Sequence, residues 1–222
     1  MRRKSRKFLL IILSSALAMA ISGPAQATQS KADVFTFFNA DGSPAAGDVV
    51  GEATLKRSKE GVNVTVHTTE LGSGNAYTIW WIIFNNPGAC AAGCAGPDLG
   101  NPLVEGSVMN ATGRVADSDG NAWFSAFLPV GFMHTNPSNG DLRQVFGPGL
   151  QNVNGAEIHV VVRCHGPATG SVEQISTLLG DCMADTSADP EGNGCFDAQG
   201  AAFPLPHRRH RRHSNDEDSD SD

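Results

Sequence analysis

The chain has 222 residues, 40% of them hydrophobic and 18% charged, with 16 Lys and Arg against 23 Asp and Glu for a net charge of −7. That acidic balance argues against a nucleic-acid-binding body, because polyphosphate would be repelled. Abundant Gly, scarce Lys and short apolar runs rich in Val, Ile, Thr and aromatics argue against a helical bundle and for strands joined by tight turns.

In chain order, the first element is an export signal. Arg2, Arg3, Lys4, Arg6 and Lys7 precede an apolar run from Phe8 to Ile21, and Ser22-Gly23-Pro24-Ala25-Gln26-Ala27 supplies the small-x-small cleavage pattern. The run is about 14 residues, short of the roughly 20 a membrane span takes. Residues 1–27 are therefore read as a signal peptide, and the protein as secreted or periplasmic. Cleavage removes five of the sixteen basic residues and leaves 11 against 23 acidic ones, a formal charge of −12. No later stretch is apolar enough to span a membrane.

Residues 28–206 are expected to form one domain. Thr28 to Lys31 should fray, and Val34 to Phe38 predicts the first strand, closed by Asn39-Ala40-Asp41-Gly42. Gly51 to Lys56 predicts a second, with Lys56 to Gly61 as a hairpin connection. Val62 to Thr68 alternates, Val62, Val64 and Val66 on one face and Asn63, Thr65 and His67 on the other, which marks a strand with one buried side. Ala76 to Phe84 is apolar on both faces and predicts a central strand covered on both sides. Val108 to Ala116 and Ala122 to Val130 are expected to form a hairpin through Asp117-Ser118-Asp119-Gly120-Asn121. Ala156 to Cys164 is the last strong strand, and Val172 to Leu179 alone looks helical. The fold class is all-β, a single antiparallel sandwich or a small barrel.

Residues 207–222 differ from the rest. A His207 to His213 block of His and Arg is followed by an acidic Asp216 to Asp222 block, with no apolar residue to bury, so a disordered tail is expected. His207, His210 and His213 recur every third residue and can chelate a metal ion, and the arginines can hold an anionic surface.

In an exported chain, five cysteines read first as disulfides. Cys90 with Cys94 and Cys182 with Cys195 are the expected pairs, since each brackets a polar or small-residue loop. Cys164 is left over as a buried thiol at the end of a valine strand.

Tyr77-Thr78-Ile79-Trp80-Trp81-Ile82-Ile83-Phe84-Asn85-Asn86-Pro87 and Gly155-Ala156-Glu157-Ile158-His159-Val160-Val161-Val162-Arg163-Cys164-His165-Gly166 resemble stretches of secreted bacterial β-proteins of uncharacterised function. That resemblance brings no activity with it. The order of Val62 to Thr68, Glu70-Leu71-Gly72-Ser73-Gly74, Ala76 to Phe84, the Asp117 to Asn121 turn and Val160 to His165 is similar, more loosely, to chordin-type (CHRD) domains and the Cu,Zn superoxide dismutase sandwich. Where those enzymes place ligand histidines, this chain has Tyr77, Ile79, Trp80 and Trp81, and His165 falls two places late. The resemblance therefore implies the sandwich without dismutation.

Two constellations can carry chemistry. On the last strong strand, a period of two places Glu157, His159, Val161, Arg163 and His165 on one face. Glu157 and His159, with His67 from another strand, can line a pocket or hold zinc or copper, while Arg163 can grip an anion. Trp80, Trp81, Trp123, Phe124 and Phe127 can offer an aromatic platform to a sugar or apolar ligand. With no nucleophile or phosphate-loop motif, the sequence favours a non-catalytic exported module that binds a small ligand or a cell-envelope component. A metal-binding protein built on Glu157, His159 and His67 is the alternative.

Overall fold

A computed structural model describes residues 27–37, 47–132, 144–170 and 195–205. Among these residues the chain is all-β, with strands β1 Thr28–Thr36, β2 Val49–Ser58, β3 Gly61–Thr68, β4 Asn75–Phe84, β5 Gly106–Val115, β6 Ala122–Pro129, β7 Gln144–Phe146, β8 Glu157–Pro167 and β9 Phe196–Phe203. Among the described residues helical structure is confined to two short 3₁₀ turns, Pro87–Ala89 and Gly96–Gly100. The expected signal peptide, the Val172 to Leu179 helix and the 207–222 tail lie outside the described residues.

All pairings are antiparallel, and the strand order is β6-β3-β2-β1-β9-β8-β4-β5-β7. The sheet curls, because β5 and β6, far apart in that order, are joined through the short turn at Asp117–Asn121. Its Asp117 amide donates to the Asn121 carbonyl at 3.0 Å. Val34, Leu55, Val64 and Phe124 from one half share a single core with Ile79, Trp81, Met109 and Val160 from the other. The result is a nearly closed, flattened barrel or sandwich. Each large side chain fully buried in this core contributes roughly 1.5–3 kcal/mol.

Alternation works as expected in β3, where Val62, Val64 and Val66 are buried and His67 is exposed. β4 is covered on both sides. Tyr77, Ile79, Trp81 and Ile83 enter the main core, while Phe84 joins a smaller cluster with Val104, Leu99 and the Cys90–Cys94 loop.

Three expectations need correction. β1 begins at Thr28, where fraying was expected, because Thr28 pairs with Arg57 and Gln29 with Lys56. The Asp117–Asn121 turn forms, but no ladder joins β5 to β6; instead β6 pairs with β3 and β5 with β4. Gly120 shows why: its φ is +75° and an added Cβ would sit 2.4 Å from the Leu71 carbonyl oxygen. The turn is thus packed against the β3–β4 connection and acts as a corner between the two halves. Finally, β9 inserts between β1 and β8 from a segment that showed no strand signal.

Cys90 and Cys94 are disulfide-bonded, with Cα atoms 5.2 Å apart. Cys195 is also disulfide-bonded, and Cys182, its expected partner, lies outside the described residues. Cys164 is a buried free thiol, as its place at the end of a valine strand led us to expect.

Candidate functional site

The outer face of the sheet carries most of the residues singled out from sequence. Register places Trp123 opposite His67, His67 opposite Glu52, and Glu52 opposite Asp33. His159 lies opposite Ala202. His67 and His159 are separated by four strand intervals, roughly 19 Å at about 4.8 Å each. Among the described residues no three His, Cys, Asp or Glu side chains gather where an ion could sit. The expected triad of Glu157, His159 and His67 therefore does not fit a zinc or copper ion, because the sheet holds its members too far apart.

Glu157 and His159 do meet. They sit two residues apart on β8, and His159 Nε2 lies 2.7 Å from Glu157 Oε1. An ionised carboxylate only accepts, so in this pair Nε2–H is the donor. Phe84 supports the ring edge-on at 5.1 Å between centroids.

Arg163 is engaged within the fold and so is not placed to grip a ligand anion: its Nε donates to Asp197 Oδ1 at 2.9 Å, and its guanidinium lies 5.7 Å from the Trp80 ring centre. Trp81, expected at a ligand, is 1% exposed and belongs to the core. His165 lies on the outer side of β8, as the period of two requires, yet it is 8% exposed.

The polar chain around His165 has a definite direction. Trp80 Nε1 donates to Thr78 Oγ1 at 2.7 Å, and that hydroxyl lies 2.7 Å from His165 Nε2. The other ring nitrogen, Nδ1, is 3.2 Å from the Sγ of Cys195. A disulfide sulfur has no hydrogen to give, so Nδ1–H donates to it and Thr78 donates to Nε2. Burial, reinforced by the charge of Arg163, lowers the His165 pKa to about 4. The ring is therefore neutral at physiological pH, a structural group rather than a ligand in waiting.

His67 and Trp123 form an open feature of the surface. Their ring centroids lie 5.1 Å apart with planes tilted by 37°. They border a hollow of about 630 Å³ with Arg114, Val115 and Asp117, at the seam where β5 turns into β6. Trp123 is 60% exposed and Phe127, on the same side of β6, is 53% exposed. Ser125 stands between them, and Thr65 and Asn63 face Ser125 and Phe127 across the ladder. Phe124, the remaining aromatic of this strand, points into the core. The Asn121 amide holds the Asp117 carboxyl below its ordinary pKa, which keeps the corner anionic.

One buried group went unread in the sequence. Arg57 is buried and donates to the carbonyls of Val153, Ala156 and Phe203, tying β2 to the loop before β8 and to the end of β9. Burial lowers its pKa. Parity on β2 was the available signal, since Arg57 shares the inward face of Ala53 and Leu55.

No protein-family model matches the chain, and no curated protein matches it. Among solved structures it is similar to a Cu/Zn superoxide dismutase from Brucella abortus, at 13% identity and a TM-score of 0.34, over 79% of this chain and 99% of that one. It is also similar to a mutant of an SOD-like protein from Bacillus subtilis, at 13% identity and a TM-score of 0.31, over 79% and 97% of the two chains. The likeness is distant and concerns β architecture alone.

Proposed function

We propose that this is an exported, non-catalytic β-sandwich module that binds a glycan of the cell envelope through the outer face of β3 and β6. The observation that carries the reading is the pair of exposed rings, Trp123 and Phe127, on one side of β6. They are four residues apart, about 13 Å at about 3.3 Å per residue. Between and beside them stand Ser125, Thr65, Asn63 and His67. Aromatic faces take the C–H side of a sugar while hydroxyl, amide and imidazole groups take its hydroxyls. The ring spacing suits an oligosaccharide better than a single sugar. Export is supported by the basic and apolar order of residues 1–27, and β1 starts at Thr28, directly after the expected cleavage site, so cleavage after Ala27 leaves that strand whole. Among the described residues no helix is long and apolar enough to cross a membrane.

The test is co-sedimentation with purified peptidoglycan sacculi and with insoluble glucan and chitin, in salt high enough to screen the tail's charge. The protein should pellet with at least one of these, and Trp123→Ala should abolish pelleting while the melting temperature holds, because the indole packs on the surface. Pelleting with none, or equal pelleting by the variant, would refute the reading.

A further inference from the structure

We propose a second site, independent of the glycan reading: the groove along β9 between β1 and β8 binds a small organic amine with an apolar body. The groove exists because β9 contributes almost no side chain to the outer face. Gly200 pairs with Phe35 on one side and Val161 on the other, and Ala202 pairs with His159. With two strand spacings of about 4.8 Å between them, the walls stand roughly 10 Å apart. The space between is about 370 Å³, room for one ring with a short side chain.

One part of the groove is aromatic. Phe35 and Phe37 are 42% and 44% exposed, a large exposure for rings set side by side. Phe37 lies directly on Gly200, where an added Cβ would come within 2.6 Å of the ring. A glycine at 200 thus lets the far end of the phenyl ring reach over the strand and border the groove. Ala202, by contrast, is exposed and leaves the floor open beside His159.

The polar part is rich in acceptors and poor in free cations. The ammonium of Lys31 is held by both oxygens of Glu52, at 2.8 and 2.9 Å. Asp33, directly opposite Glu52 in register, lines the groove, and no hydrogen bond or ion pair engages its carboxylate among the described residues. His159, its Nε2–H committed to Glu157, borders the groove from the β8 side. Asp33, Glu52 and Glu157 outnumber Lys31, so an anionic ligand is repelled and a cation is drawn in. An ammonium group satisfies Asp33 with its N–H donors, and its positive charge favours the neighbouring phenyl faces. The apolar body of the ligand then packs on Phe35, Phe37 and Val161.

Isothermal titration of the full exported chain at neutral pH with 2-phenylethylamine, 2-phenylethanol and 3-phenylpropionate tests this, since the three share a ring and differ in charge. The amine should bind at least tenfold more tightly than the alcohol, and the carboxylate should not bind. Ala202→Leu, which fills the floor from an exposed position, should weaken the amine at least tenfold, with circular dichroism and melting temperature confirming the fold. Asp33→Asn should reduce amine affinity to that of the alcohol. No amine binding, equal binding of amine and alcohol, or amine binding indifferent to both substitutions would overturn the proposal.

Discussion

His165→Gln, followed by stability against pH, isolates the buried imidazole. In the unfolded chain this ring titrates near 6.5, and in the fold near 4. Between those values the unfolded state binds a proton that the folded state refuses, so stability rises with pH across that window. The contribution is fully present above about pH 6.5, is lost as pH falls, and is gone below about pH 4. At about 1.4 kcal/mol per pH unit, the gap corresponds to about 3 kcal/mol. Glutamine lacks the titration, although it loses packing and the contacts to Thr78 and Cys195 and is less stable at neutral pH. The assay is urea unfolding of both proteins in steps from pH 7.5 to pH 4, scored as the difference between the two curves, which removes the shared carboxylate titrations. The stability advantage of the native chain should shrink by about 3 kcal/mol across the window. Parallel curves would refute the neutral, buried assignment of His165 and the hydrogen-bond direction drawn from it.

Two further substitutions or reactions address the frame. Arg57→Leu should cost at least about 3 kcal/mol in the urea midpoint, because three buried carbonyls lose their donor; a loss under about 1 kcal/mol would mean that they repair themselves with water. Cys164 is buried, and burial raises its pKa while Asn75, Gly166 and Tyr77 surround the sulfur with donors. It should resist iodoacetamide in the native protein over the time in which the urea-unfolded chain reacts completely, as mass spectrometry would show. Rapid native labelling would place the thiol at the surface.

How far the sequence could be read follows from what periodicity measures. Alternation located β3 and β8 because their buried and outward residues differ in chemistry, and the run Tyr77 to Phe84 announced a strand covered twice. Parity also placed His165 on the correct side of β8. It said nothing of what covers that side, and there Thr78 and the Cys195 sulfur stand over the ring. β9 was illegible because Asp197, Gln199, Gly200 and three alanines have weak strand preference. It holds its place through pairing with β1 and β8 and through Gln199, which accepts from Thr68 and donates to the Thr69 carbonyl at 2.8 Å. The Asp117–Asn121 turn was legible as a reversal, but turn chemistry does not name the strand's partner. The candidate residues were visible singly; their separation across five strands was not, since it depends on strand order.

The position of β9 also bears on the order in which the fold can be completed. β1 and β8 share no ladder, and each keeps an open edge until Phe196–Phe203 arrives between them. Synthesis therefore delivers an interior strand after every other described strand has been made. A chain caught before that point has a split sheet with two unpaired edges and a core lacking Phe196 and Phe203. Such an arrangement delays closure of the sheet until Phe196–Phe203 has been made, so the described strands before it stay open to rearrangement for most of synthesis.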